Sequence, residues 1–237
     1  MLVATRSRFR FFGNRRRRPS SAAPLLIPYW ADGVSLGNRP TTTNWQENSG
    51  VTRSLLAANG AGDSGHLWHI SDSPANRFMA QRISDGAGRG EWTLTGATIS
   101  DIEDIASATI GGTAYLYLAD IGDNSNARST INIFRVVEPT ITGSDSSTSQ
   151  YEQIVCQYPA GSVPSHKDAE TLLVDPDTGD LYIVTKRITP ARCYRLAHQS
   201  SYTGTQTLEY LGEVWTGPFT DDATGPSTGG YVVGGSI

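Results

Sequence analysis

Two stretches of the chain share one pattern, an Asp-x-Glu start followed by two short apolar runs that are joined through a glycine-bearing turn. The first stretch, residues 101–120, is DIEDIASATIGGTAYLYLAD, and the second, residues 168–186, is DAETLLVDPDTGDLYIVTK. Alternating Tyr, Leu, Ile and Val residues with a glycine at the turn are typical of antiparallel hairpins. The pattern therefore predicts a fold built from repeated β-hairpins.

Each hairpin is followed by further strand-like runs, so that one repeat has four predicted strands. A weaker copy of the pattern covers residues 49–96, and a short stub follows at 221–237. A Ser/Thr-rich loop after Pro139 is interpreted as a spacer within the second repeat. Four-stranded repeats are typical of a β-propeller, because one such sheet cannot bury both of its faces alone. The third and fourth predicted strands are 131–136 and 152–158 in one repeat and 192–196 and 207–215 in the next.

Residues 46–237 are therefore predicted to form an all-β, β-propeller-like domain with about three to four four-stranded blades. A closed propeller needs about 4–8 blades, so this ring is minimal, open, or shared with another chain. An open ring leaves sheet edges that must be covered. We expect other protein subunits to contact that open edge.

Residues 1–45 are predicted to be an extended, Pro-rich basic arm. The first 18 residues hold seven arginines and no acid; without those seven, 12 basic residues remain against 23 acidic ones, a net charge of −11. Arginines interleaved with Phe9, Phe11 and Phe12 bind nucleic acid through phosphate neutralisation and stacking, anchor to an acidic protein surface, or remain solvated. The candidate binding residues of the arm are Arg15, Arg16, Arg17 and Arg18.

Carboxylates recur at the ends of the predicted strands. Glu103 and Glu170 hold equivalent places in the two clear repeats, and strand alternation puts Asp101 on the same face as Glu103. Carboxylates that converge on one axis need a cation or hydrogen-bond donors to offset their repulsion. Calcium suits the first alternative, since it takes 6–8 oxygen ligands; backbone N–H groups at turns suit the second. The candidate metal ligands are Asp101, Glu103, Asp120, Asp123 and Glu170.

Basic residues follow the corresponding strands of both clear repeats. Arg128 lies in the segment DIGDNSNAR (120–128), which is predicted to be either an Asx-type turn or a site loop. Lys186 ends the second hairpin. Both are candidate ligands for an anion, and the alternative is that they pair with the nearby acids. The two cysteines, Cys156 and Cys193, are either buried thiols or a disulfide.

Several segments resemble known β-propellers. TLTGATISDIEDIA, YLYLADIGDNSNARSTINIFRVVEP and KDAETLLVDPDTGDLYIVTKR resemble, over roughly residues 48–215, a family of uncharacterised bacterial and phage β-propeller proteins. That family carries Asp-Trp-Glu-Asp-Ile-Ala, Asp-Ile-Gly-Asp-Asn and Ala-Glu-Ala-Leu in this order, and Ile102 stands here where it favours Trp. A more distant resemblance to β-propeller phytases implies that Glu103 and Glu170 face a central channel in which calcium is held.

Two functions follow as expectations. The first is a non-enzymatic binding or assembly module that the arm tethers to a larger complex, such as a phage particle, with a virion or extracellular location. The second is a calcium-dependent phosphoesterase, in which Arg or Lys binds the phosphoryl oxygens. The sequence shows no convincing set of cations for such a phosphate clamp, so it favours the module. No apolar run approaches the ~20 residues of a membrane span, and we expect no membrane partner.

Overall fold

A computed structural model describes residues 48–56, 65–72, 76–148, 150–162, 167–186 and 190–214. These residues form β-strands and connections without a helix, which confirms the predicted all-β class. The predicted arm (1–45) and the predicted stub (221–237) lie outside the described residues. The strands are β1 (Asn48–Arg53), β2 (His66–Ser71), β3 (Arg77–Arg82), β4 (Gly88–Leu94), β5 (Ile102–Ile110), β6 (Thr113–Asp120), β7 (Ile131–Val137), β8 (Ser146–Thr148), β9 (Tyr151–Gln157), β10 (Ala169–Val174), β11 (Leu181–Thr185), β12 (Ala191–Leu196), β13 (Gln206–Thr207) and β14 (Glu209–Val214).

The strands form three sheets, each containing a four-stranded antiparallel meander. Sheet A has the order β1-β2-β3-β4-β8, sheet B the order β13-β9-β7-β6-β5, and sheet C the order β10-β11-β12-β14. The short strands β8 and β13 pair in parallel with β4 and β9, the last meander strands of sheets A and B. Each short strand comes from the connection between the third and fourth meander strands of the following sheet. The loop after Pro139 is therefore more than a spacer, because its strand β8 ties sheet B to sheet A.

Sheet B is the middle layer, and the two main cores lie on its two faces. Side chains of β6 alternate between them: Leu116 and Leu118 belong to the core shared with sheet A, and Tyr117 and Ala119 to the core shared with sheet C. Strand β5 contacts both β1 and β10. The first strands of the three meanders thus lie side by side.

The three first strands share one irregularity. In each pairing with the second strand the register shifts by one residue, between Asn48 and Gly50 in β1, between Ile102 and Asp104 in β5, and between Ala169 and Thr171 in β10. The extra residue of such a bulge stays unpaired and bends the strand. The unpaired residues are Ser49, Glu103 and Glu170, so the two glutamates of the Asp-x-Glu pattern do hold equivalent places.

Glu138, directly after β7, joins sheet B to sheet A through a buried carboxylate. It accepts hydrogen bonds from the indole N–H of Trp68 at 2.7 Å and from the backbone N–H of Leu55 at 3.0 Å, and Ser54 donates its hydroxyl. Trp68 lies in an aromatic cluster with Trp92, 5.0 Å away between ring centroids. The carboxylate therefore fixes the position of one of the two tryptophans in the core between sheets A and B.

Replacing Glu138 by alanine is expected to lower the free energy of unfolding by about 2–4 kcal/mol, because several donors in or near the core lose their acceptor together. Denaturant unfolding followed by tryptophan fluorescence measures the loss. Glu138→Gln keeps one acceptor oxygen and should cost less. An equal loss in both variants would assign the whole effect to the charge and the second acceptor oxygen that glutamine lacks, and wild-type stability of both would mean that these hydrogen bonds contribute nothing.

Candidate functional site

Charged residues collect where the first strands of sheets B and C begin. Asp101 and Asp168 each precede a first strand, Glu103 and Glu170 are its bulge residues, and Lys186 follows β11. The backbone N–H of Asp123 donates to Asp168 Oδ1 at 2.6 Å and links the loop after β6 to sheet C. We call Asp72, Asp101, Glu103, Asp168, Glu170 and Lys186 the charged cluster.

Asp101 and Glu103 face the same small space, and Gly122 borders it. A Cβ atom at Gly122 would lie 2.5 Å from Asp101 Oδ2 and 2.6 Å from Glu103 Oε1, closer than real contacts allow. Any other residue at 122 would therefore displace one carboxylate or both. The Gly in the Asp-Ile-Gly-Asp-Asn motif has this packing role.

Glu103 is a buried acid of the charged cluster, and its pKa is strongly raised. Its side chain is buried, with the residue 7% exposed. Burial raises the pKa of Glu103 to about 8, and the negative charges of Asp101, Asp72 and Asp168 act in the same direction, while Lys186 opposes them. Glu103 is therefore largely protonated at neutral pH, and the cluster carries less negative charge than its composition indicates.

Lys186 supplies positive charge inside the cluster. Its ammonium group forms an ion pair with Glu170, and its Nζ lies 3.8 Å from Asp168 Oδ2. Its backbone N–H donates to the carbonyl oxygen of Asp168 at 2.9 Å. The sequence proposed Lys186 as an anion ligand; the structure pairs it with carboxylates of its own sheet.

Asp120 and Arg128, two further candidate residues, bind each other. Asp120 is fully buried, and Arg128 donates to Oδ1 at 2.9 Å and to Oδ2 at 2.8 Å, a bidentate pair. The backbone N–H of Asp101 and the side-chain amide of Asn132 donate to the same carboxylate at 2.8 and 2.9 Å. Arg128 also donates to the carbonyl oxygen of Gly122 at 2.8 Å. Both oxygens of Asp120 thus already have donors.

The carboxylate of Asp123 accepts hydrogen bonds from the loop that ends at Arg128. Its Oδ1 accepts the backbone N–H of Ala127 at 2.8 Å and that of Arg128 at 3.2 Å. Asn126 lies in the left-handed region with a φ of 53°, which asparagine tolerates better than most residues. An Asx-turn bonds the backbone N–H two residues on, whereas these N–H groups lie four and five residues after Asp123. The choice between a turn and a site loop, which the sequence left open, stays a prediction.

Asp104 is a residue that the sequence did not single out. It is buried, and its Oδ2 accepts the backbone N–H of Leu172 at 2.9 Å, which joins the first strands of sheets B and C. A Cβ atom at Gly50 would lie 2.8 Å from Asp104 Oδ1, so strand β1 approaches the same carboxylate from the other side. Asp104 therefore contacts the first strands of both neighbouring sheets.

Four further expectations concern a metal site, the two cysteines, the arm and a membrane span. Within the described ranges no group of three or more His, Cys, Asp or Glu residues is arranged to hold a metal ion. Cys156 and Cys193 are buried free thiols, and burial raises their pKa to about 12 and about 11. The arm residues Arg15–Arg18 lie outside the described residues. In the described part of the chain, no helix has the length and apolar character needed to cross a membrane.

The described residues define an all-β fold of three stacked sheets, with a charged cluster where the first strands of sheets B and C begin. No protein-family model matches the chain, and no curated protein matches it. The resemblance to bacterial and phage propellers stays a prediction from the motifs.

Proposed function

We propose that the chain is a non-enzymatic, β-propeller-type binding module that its Arg-rich arm tethers to the protein subunits of a larger assembly such as a virion. The repetition of the fold supports the propeller. The first strands of the three meanders lie side by side, and the same third-to-fourth connection ties each later sheet to the preceding one. Stacked sheets that bury one another's faces in this way are the principle of a propeller.

One observation carries the choice of a binding module over an enzyme. The two basic residues that the sequence predicted to bind an anion each form an ion pair with a carboxylate. Arg128 pairs with Asp120, and Lys186 pairs with Glu170. A phosphate clamp aims its cations at the oxygens of the substrate. Here both cations neutralise carboxylates of the chain itself, which favours a structural role for them.

A second candidate, the calcium-dependent phosphoesterase, draws on the geometry around Glu103. Two carboxylates, those of Asp101 and Glu103, face one space beside Gly122. Calcium bound there would favour the ionised form of Glu103 and supply the positive charge that this side of the cluster lacks. The chain's own contribution would be oxygen ligands from Asp101 and Glu103.

Turnover and calcium dependence separate the two functions. The protein is assayed with p-nitrophenyl phosphate, and its melting temperature is measured with calcium and with a chelator. We expect no turnover in either condition. A calcium-dependent rise in the melting temperature that is lost in Glu103→Gln and kept in the exposed control Glu213→Gln would assign a structural ion and leave the module intact. Calcium-dependent turnover that Glu103→Ala or Glu170→Ala abolishes would overturn the proposal.

The tether is tested by deletion of residues 1–24. We expect the shortened protein to melt at the temperature of the full chain and to lose incorporation into the assembly. Substituting only Arg15–Arg18 by glutamine should reproduce that loss, because the arm acts through its charge. Release of the full chain from the assembly by nuclease would show that the arm binds nucleic acid and not a protein subunit. Normal incorporation of the deleted protein would remove the tether from the proposal.

A further inference from the structure

The far face of sheet C, directed away from sheet B, is buried in the single chain. Thr171, Val184, Ala191 and Cys193 on this face are at most 6% exposed. The apolar cluster here contains residues of sheet C alone, with Tyr182 and Leu211 packed against Val184, Ala191 and Cys193. Side chains on an uncovered sheet face stay partly in solvent. The cover therefore belongs to the same chain and lies outside the described residues.

Strand pairing shows that this far face is built like the face that sheet B turns towards sheet C. Counting from the bulges in β5 and β10, Val184 holds the position of Ala119, and Cys193 holds the position of Ile133. Ala119 and Ile133 are buried in the core between sheets B and C. The far face of sheet C therefore has the pattern of a surface that receives a further layer of the stack.

Thr171 indicates where the first strand of such a layer would lie. It holds the position of Asp104, whose carboxylate accepts the backbone N–H of Leu172 in the first strand of the next sheet. The hydroxyl of Thr171 is buried, and it has no hydrogen-bond partner among the residues that the structure describes. A buried polar group without a partner is destabilising. A strand beside β10 on this face would bring a backbone group to that hydroxyl.

The course of the chain selects residues 215–237 as the cover. Residues 95–101 lead from the fourth meander strand of sheet A to the first strand of sheet B, and residues 158–168 lead in the same way from sheet B to sheet C. Strand β14 is the fourth meander strand of sheet C, so the chain after it is placed to continue onto the far face. Residues 1–47, by contrast, lead to β1 in sheet A, the other end of the described stack.

The sequence of this segment carries the apolar side chains that a covering layer needs. Trp215 directly follows β14 as Tyr158 directly follows β9, and Tyr158 is buried in the core between sheets B and C. Residues 231–233, Tyr-Val-Val, form a short apolar run between two pairs of glycines, which predicts a strand. Residues 215–230 make a longer connection than 95–101 or 158–168, so the run has enough chain to reach β10.

We propose that residues 215–237 cover the far face of sheet C, with the run 231–233 beside β10. This proposal rests on the propeller part of the proposed function, because it adds one more layer to the same stack. It assigns the surface to a segment of the same chain, and not to a second copy or another subunit. Cys193 is then protected by that segment, whereas Cys156 is protected by the core between sheets B and C.

The two cysteines make the cover measurable by thiol labelling. Both are buried in the full chain and should react slowly with iodoacetamide, and peptide mass spectrometry distinguishes the two sites. A chain that ends at Val214 should label Cys193 faster by about tenfold or more, because an uncovered thiol meets solvent more often. Cys156 should stay slow. Deletion of residues 1–24 is the matched control and should leave both labelling rates unchanged.

Val232→Asp combined with Val233→Asp tests the same cover in the full-length chain, in case the shortened chain loses its fold. Strand alternation directs one of the two positions towards sheet C in either register, so the added charge should speed the labelling of Cys193 alone. Wild-type labelling of Cys193 in the double variant would overturn the proposal. Equally fast labelling of both cysteines there would contradict it as well, because loss of a cover at one end should leave the core between sheets B and C closed.

Faster labelling of Cys193 after deletion of residues 1–24, with wild-type labelling in the chain that ends at Val214, would assign the cover to the arm and overturn the proposal. These labelling rates do not depend on phosphoester turnover or on incorporation into an assembly. The cover and the proposed module can therefore fail separately.

Discussion

Replacing Asp120 by alanine is expected to lower the free energy of unfolding by about 3–5 kcal/mol, the usual cost of removing one partner of a buried ion pair. The carboxylate is fully buried and accepts hydrogen bonds from Arg128, Asn132 and two backbone N–H groups, those of Ser100 and Asp101. Its loss leaves the Arg128 guanidinium without its counter-charge and both backbone groups without an acceptor. Denaturant unfolding at neutral pH measures the loss of stability.

The matched control is Asp85→Ala, which removes the partner of Arg82 in an exposed ion pair. That variant should unfold like wild type, because exposed ion pairs contribute little. Adding Arg128→Met to Asp120→Ala should recover part of the lost stability, since the uncompensated charge is then gone. A wild-type-like unfolding midpoint for Asp120→Ala would show that Arg128, whose side chain is 17% exposed, is solvated well enough without its counter-charge, and would contradict the prediction.

The hairpins could be predicted from the sequence because a period of two and a turn glycine are local signals. The equivalence of Glu103 and Glu170 was predictable as well, since the Asp-x-Glu pattern repeats at the start of a first strand in both cases. The resulting bulge was not, because a register shift depends on how the partner strand pairs. The pattern alone cannot show which residue is the extra one.

The ion pairs of the site were beyond prediction for a different reason. Many acids lie within reach of Arg128 and Lys186 along the chain, and only the folded loops select Asp120 and Glu170. The hydrogen bond from the N–H of Leu172 to Asp104 joins residues 68 apart in sequence and depends on the stacking of two sheets. No periodicity in the chain encodes that contact. Asp104 could have been found only by aligning the two first strands at their bulges and asking which polar side chain points towards the next sheet.

Glu103→Gln is expected to stabilise the protein at alkaline pH and to have little effect at acidic pH. The pKa of Glu103 is raised from 4.5 to about 8 in the folded state, so the fold favours the protonated acid. A group of this kind contributes stability that is fully present below its unfolded pKa and is lost as the pH rises through the folded pKa. Glutamine carries no charge, and its stability should not show that loss.

The difference in unfolding free energy between Glu103→Gln and wild type should therefore be near zero at pH 4.5, grow between pH 4.5 and 8, and level off above pH 8 at about 2 kcal/mol. This figure is roughly half of what the full pKa shift would give, because solvent at the edge of the cluster screens the charge. Denaturant unfolding in chelator at a series of pH values measures it, and the exposed Glu213→Gln should show no comparable rise. A constant difference across the series would mean that Glu103 is already ionised at neutral pH, with Lys186 outweighing Asp72, Asp101 and Asp168 and the effect of burial.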